Sequence, residues 1–198
     1  MPSDDPYARA ADKYTPRRTC VLFVAEAPPR SVERYFYFED VKRDDWLWIA
    51  LMKALYPSEW RGTKTERPCK RDWLVRFQKS GFRVIDALKE PVCSQDKKRI
   101  AFIKKAAPEL IAEIDNIMPK QIVLVKSSVH QALFQNLRDA HLPVVNEKAL
   151  PFPASGNQNR FHKEFRLLVD GGKLRLCSAC DVSPIENRAT PPVLLGSK

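Results

Sequence analysis

The chain reads as an α/β protein, a three-layer α/β/α sandwich around a central, mostly parallel, four-stranded sheet. Three observations predict this. Val21-Leu22-Phe23-Val24 and Gln121-Ile122-Val123-Leu124-Val125 are short apolar runs with almost no polar alternation, as in strands buried on both faces. Longer segments with helical spacing of apolar residues lie between such runs. The two kinds alternate along the chain, which argues for parallel strands joined by crossover helices. With 198 residues, the chain supports one such domain and is short for two.

Residues 1–16 are polar and read as a flexible or loosely docked arm, ahead of a domain spanning 17–170. The first strand, Val21–Val24, runs into Glu26-Ala27-Pro28-Pro29. A helix cannot start through a Pro-Pro pair, so the strand empties into a stiff, extended loop. Tyr35-Phe36-Tyr37-Phe38 follows, either a wall for a flat ring or another piece of core. Between Arg43 and Tyr56, Trp46, Leu47, Ile49, Ala50, Met52 and Leu55 fit a largely buried helix, stopped by Pro57. The basic stretch 58–71 reads as a long loop, and loops of that length are often functional. Asp72–Ser80 is a short helix ended by Gly81, and Phe82–Leu88 a second strand.

Ile100, Ile103, Ala107, Leu110, Ile111, Ile114 and Ile117 give helical spacing to Lys97–Met118, which Pro119 closes. Gln121–Val125 is the third strand. Ser127 or Ser128 caps the next helix, which runs to Ala140. Pro143-Val144-Val145 is a fourth, short strand. A turn-rich loop from Leu150 to Arg160 opens a last helix, Phe161–Val169. In the proline-rich tail, 171–198, a strand at Leu174–Leu176 is an option.

A formal net charge of +10 and a pI near 9.5 point to a polyanionic partner. The excess concentrates between Arg61 and Arg83, where eight basic residues face two acids, a local net of +6. Mean hydropathy is -0.40, and neither a membrane-length apolar run nor an apolar leader is present. The expectation is a cytoplasmic, monomeric protein with no membrane partner. Cys177-Ser178-Ala179-Cys180 is a single CxxC among five cysteines. A zinc or iron–sulfur site takes about four ligands, so neither metal nor cofactor is expected. A small-molecule hydrolase, such as a nucleoside-processing one, would lack its usual signatures here. With 6 glycines there is no Gly-rich phosphate loop, nor a nucleophile elbow or zinc-ligand pair.

Four pieces of the chain, in order, resemble the uracil-DNA glycosylase superfamily. They are Ala25-Glu26-Ala27-Pro28-Pro29 with Arg34-Tyr35-Phe36-Tyr37, then Gly81 to Lys89, then Pro119 to Val125, then Leu150-Pro151-Phe152-Pro153-Ala154-Ser155. Together they span residues 18–170, and Glu26-Ala27-Pro28 looks like the GEAPG form of the first motif. The resemblance implies base flipping and hydrolysis of the N-glycosidic bond, as in base excision repair. It implies a catalytic role for Glu26 beside the attacking water, and a stacking platform at Phe36 or Tyr35 bounded by Ala27 and Pro28. Asp86, the second catalytic candidate, would read the base edge where the family commonly has asparagine, or else simply cap its strand.

An ionised Asp86 only accepts hydrogen bonds, which would disfavour uracil O4 and tolerate an amino group. Ala27 stands where active branches carry aspartate. Leu150 stands where the family's HPSP has the histidine that bonds the departing base. Pro151, Pro153, Ser155, Gly156, Asn157 and Arg160, with Gln158 and Asn159, would meet DNA, alongside the basic stretch 58–83. The iron–sulfur cysteines of some branches have no counterpart before the first motif. Two readings follow: a DNA glycosylase-like enzyme, or a catalytically inactive nucleic-acid-binding protein that keeps the fold.

Overall fold

The computed structural model describes residues 5–40, 44–92 and 98–176. Three parallel strands form its sheet: β1 (Val21–Ala25), β2 (Phe82–Asp86) and β3 (Gln121–Leu124), in the order β2-β1-β3. All five residues of β1 are buried, as the apolar run requires of a strand covered on both faces. Val21 lies opposite Phe82 and Gln121, and Ala25 opposite Asp86. In this register the carboxyl ends of the strands are level.

Side chains of β1 alternate between two cores. Val21, Phe23 and Ala25 pack with α2 (Trp46–Leu55), α4 (Lys70–Lys79), α7 (Gln158–Asp170) and the aromatic run. Leu22 and Val24 pack with α5 (Arg99–Ile117) and α6 (Ser127–Asp139). Helices therefore cover both faces.

The sheet has three strands rather than the four expected. Pro143–Val145 makes one isolated bridge, Ile122 to Val144, with the Ile122 N–H on Pro143 O at 2.8 Å and the Val145 N–H on Ile122 O at 2.9 Å. One residue later a side chain takes over. The fully buried Asn146 amide accepts the Leu124 N–H at 2.8 Å and donates to Leu124 O at 2.9 Å, so a side chain fills the gap before backbone pairing resumes with the Val125–Leu150 bridge. The opposite edge is treated alike. The Tyr37 hydroxyl accepts the Val84 N–H at 2.7 Å and donates to Val84 O at 3.1 Å. A side chain thus satisfies one residue of each outer strand, which blunts an edge that would otherwise template pairing.

The stretch 58–71 is not a loop. It holds α3 (Thr63–Glu66), a 3-10 turn at Arg67–Cys69 and the start of α4. Two buried charges tie it down. Glu66 accepts the Trp73 indole N–H at 2.8 Å and the Arg61 N–H at 3.3 Å. Lys70 is fully buried and donates to Asp45 at 3.0 Å and to Tyr35 O at 3.3 Å, with Trp48 beneath it. Burial pulls the Lys70 ammonium pKa down, against the pull of Asp45. Asp45 also caps α2 by accepting the Trp48 N–H at 3.2 Å, so one ion pair fixes both the helix start and the aromatic run.

The N-terminal arm, where described, is docked. Asp5 caps α1 (Pro6–Asp12), Tyr14 is buried with its hydroxyl on Glu39 at 2.7 Å, and the Tyr7 hydroxyl donates to Pro29 O at 2.7 Å. Leu174–Leu176 forms no strand, but the Gln121 side chain bonds both backbone groups of Arg175, at 2.7 and 2.8 Å. Cys177, Cys180 and Cys93 lie outside the described residues. Among those residues no helix is long and apolar enough to cross a membrane.

Candidate functional site

In parallel α/β sheets ligands bind beyond the carboxyl ends of the strands, and there the chain gathers its chemistry. Glu26 follows β1, Asp86 ends β2, and Lys126 follows β3. Backbone bonds continue past the strands and hold these positions together. The Ala87 N–H reaches Ala25 O at 2.9 Å, the Leu88 N–H reaches Glu26 O at 3.0 Å, and the Val125 N–H reaches Val24 O at 2.9 Å.

Glu26 anchors an ionic cluster. One carboxylate oxygen accepts the Lys126 ammonium at 2.6 Å, with the Arg99 guanidinium 3.5 Å away. The other accepts the Ser128 hydroxyl in a short hydrogen bond. Ser127 and Ser128 were the expected caps of α6, but the residue ahead of that helix is Lys126 and no side chain caps it. Ser128 turns to Glu26 instead. Lys126 itself has φ +82° and ψ 141°, left-handed backbone that a residue with a Cβ adopts at a cost. Its N–H meets Leu150 O at 2.6 Å, and its ammonium stands 5.9 Å from the centre of the Phe152 ring. Sequence reasoning passed over Lys126, whose only signal was a lysine directly between a strand and a helix.

Asp86 lies at a cleft of ≈ 140 Å³ walled by Pro28, Tyr35, Arg83, Leu88 and Lys89, with α1 residues Tyr7, Ala8 and Ala11 on the far side. Burial pushes its carboxyl pKa up to about 7; Lys89 opposes this, while Asp45 and Glu26 add to it. The cleft is small beside the ~300–1,000 Å³ of a drug-sized site, and Tyr7 accounts for part of that. Its ring meets Tyr35 edge-on at 5.0 Å. A broader, open hollow of ≈ 670 Å³, along Arg17, Thr19, Glu109 and Asn116, shares Arg83 and Glu113 with the cleft. It lies towards the other end of the strands, away from Glu26 and Asp86, and we assign it no chemistry.

Of the residues singled out from sequence, the fold brings Pro28, Tyr35 and Asp86 to one cleft, with Glu26 on the neighbouring strand end. Phe36 is not at the cleft. It is buried in the core against Phe77 and Tyr37, so Tyr35 is the aromatic that faces the space. Ala27 is half-buried and does not line the cleft.

Pro151 and Pro153 are buried and stiffen their loop from within. Ser155 and Gly156 are exposed at its tip, both with positive φ (52° and 84°), and a Cβ on Gly156 would meet open space. The Asn157 amide bonds Ala154 O at 3.2 Å, and Arg160 is exposed on the first turn of α7. Within 61–83, Lys70 is buried, Arg67 pairs with Asp44, and Arg76 pairs with Glu59 across the Tyr56 ring. Arg61, Lys64, Arg71 and Lys79 are exposed. No group of histidine, cysteine or carboxylate side chains among the described residues is placed to hold a metal.

No protein-family model, no curated protein and no solved structure matches the chain.

Proposed function

We propose that the protein is a DNA glycosylase-like enzyme that flips a damaged or deaminated base out of DNA and hydrolyses its N-glycosidic bond. The observation that carries this is the pair of carboxylates on adjacent parallel strand ends, Glu26 in an ionic cluster and Asp86 at a cleft faced by Tyr35. Hydrolysis at an anomeric carbon needs a positioned water and negative charge near an electron-poor sugar. The Glu26 oxygen that accepts the Ser128 hydroxyl has, as a carboxylate oxygen, a second lone-pair direction, so Glu26 can hold that water. Tyr35 would stack on the base and Asp86 read its edge. The exposed tip Ser155-Gly156 and Arg160 would contact DNA, together with the exposed cations of 61–79. The protein would act on DNA as a monomer in the cytoplasm.

A second reading, a nucleic-acid binder without catalysis, is favoured by one observation: Tyr7 stands against Tyr35, where a flipped base would stack. Labelled oligonucleotides carrying uracil, hypoxanthine, xanthine, a thymine mismatch or plain cytosine, in single and double strands, separate the two. Alkali-revealed abasic sites that fall at least about 100-fold with Glu26→Gln support the enzyme. Salt-sensitive binding with no release at any enzyme excess leaves only the binder.

A further inference from the structure

Resting on the glycosylase reading, we infer the substrate class: among damaged bases, the cleft prefers those that carry a positive charge, as many N-alkylated bases do. Two aromatic rings stand in its wall, Tyr7 and Tyr35, 5.0 Å apart and at 83° to one another. A π face attracts a cation, most of all out of water. The charged side chains around them are Asp5, Asp12, Asp86 and Glu113 against Arg83 and Lys89. Lys89 is paired with Glu113, which leaves three carboxylates and one guanidinium.

Asp86 is a second, independent observation. It lines the cleft at the end of β2, and none of the described residues donates a hydrogen bond to its carboxylate or forms an ion pair with it. A carboxylate drawn out of water without a partner is costly. A cationic ring edge with an amino group supplies both the charge and the donor it lacks. The charge that moves in the reaction agrees. When a neutral base such as uracil departs, the electron pair of the C1′–N bond makes it an anion, in a cleft where acids outnumber bases. A cationic base takes up the same pair and leaves neutral. In both cases water oxygen bonds to C1′ and a water proton passes to solvent. The ring loses its positive charge as the bond breaks, so the carboxylates favour the bound substrate, and the protein's share of the preference belongs in binding rather than in kcat.

Equilibrium dialysis would compare 3-methyl-2′-deoxycytidine, a cation at neutral pH, with neutral 2′-deoxycytidine on the wild-type protein and on Asp86→Asn. Single-turnover release would be followed in parallel on strands carrying 3-methylcytosine, uracil or hypoxanthine. The inference expects the cationic nucleoside to bind about 10-fold or more tighter. It expects Asp86→Asn, which keeps the shape and removes the charge, to abolish most of that preference. Equal binding of the two nucleosides, binding of neither, or a preference undiminished by Asp86→Asn overturns the inference, and base release then leaves the glycosylase reading intact. The preference without release from any strand overturns the glycosylase reading and leaves a cleft that takes cationic rings.

Discussion

Asp86 has its carboxyl pushed up to about 7 by burial, so near neutral pH it exists both as a donor-bearing acid and as an acceptor-only carboxylate. This changes the specificity expected of an always-ionised aspartate. Below pH 7 the neutral acid can donate to a carbonyl such as uracil O4. Above it, the carboxylate can only accept, as from an exocyclic amine. The ratio of uracil to cytosine release should therefore drop as pH rises from 6 to 8, and Asp86→Asn should flatten that dependence. A ratio that does not move with pH would remove Asp86 from base reading.

The same shift has a stability sign. The folded pKa lies above the unfolded one, so the folded state binds more protons between about pH 4 and pH 7, and stability falls as pH rises through that window. Asp86→Asn should gain about 2–3 kcal/mol on wild type between pH 5 and pH 8 in urea unfolding. Equal differences at both pH values would contradict the burial assigned to this carboxyl. In the sequence, Asp86 was visible as a carboxylate at a strand end. Its titration was not, because the burial that raises it, and the Asp45 and Glu26 carboxylates that add to it, come only with the fold. Lys126 was less legible still, since nothing in a sequence marks a positive φ on a lysine.

At the scale of elements, the buried parallel strands, the Pro-Pro loop and the helices of 99–117 and 127–139 could be read because apolar spacing dictates them. The fourth strand could not be read correctly. Val144 and Val145 have strand propensity, but Asn146 completes the edge by side chain, and periodicity carries no record of such a substitution. Likewise, Tyr37 in an aromatic run looks like core or pocket, and the fold uses its hydroxyl as an edge cap. Removing either partner strands buried backbone groups. Tyr37→Phe should cost about 1–3 kcal/mol and Asn146→Ala about 2–4 kcal/mol in urea unfolding. Losses under about 0.5 kcal/mol would mean that the edges are satisfied in another way. The stretch 58–71 misled for a related reason: its polar surface hides Glu66 and Lys70, the two buried charges that fold it.

For the whole molecule, the local net of +6 between Arg61 and Arg83 overstates what DNA could meet, because Arg67, Lys70 and Arg76 pair with Asp44, Asp45 and Glu59 from outside that stretch. In the proposed function the exposed cations of 61–79, with Arg160 and the tip at Ser155-Gly156, supply the phosphate contacts. Binding to duplex DNA should weaken with salt at a log–log slope of about -3 to -5, and Arg160→Ala should make that slope shallower by about 1. A slope near zero would exclude phosphate contact. The docking of α1 escaped the sequence because Tyr7, Ala10 and Tyr14 are scattered among charges. It is also the feature that most restricts the cleft, since α1 supplies one wall of it.

The most direct measurement is the mass of a uracil- or hypoxanthine-containing oligonucleotide after single-turnover incubation with excess wild-type protein and, in parallel, with Glu26→Gln. The account predicts loss of one base as a free species, leaving an abasic strand, with the rate reduced at least about 100-fold by the substitution. An oligonucleotide recovered intact from the wild-type protein, or base loss at the same rate without the Glu26 carboxylate, would contradict it.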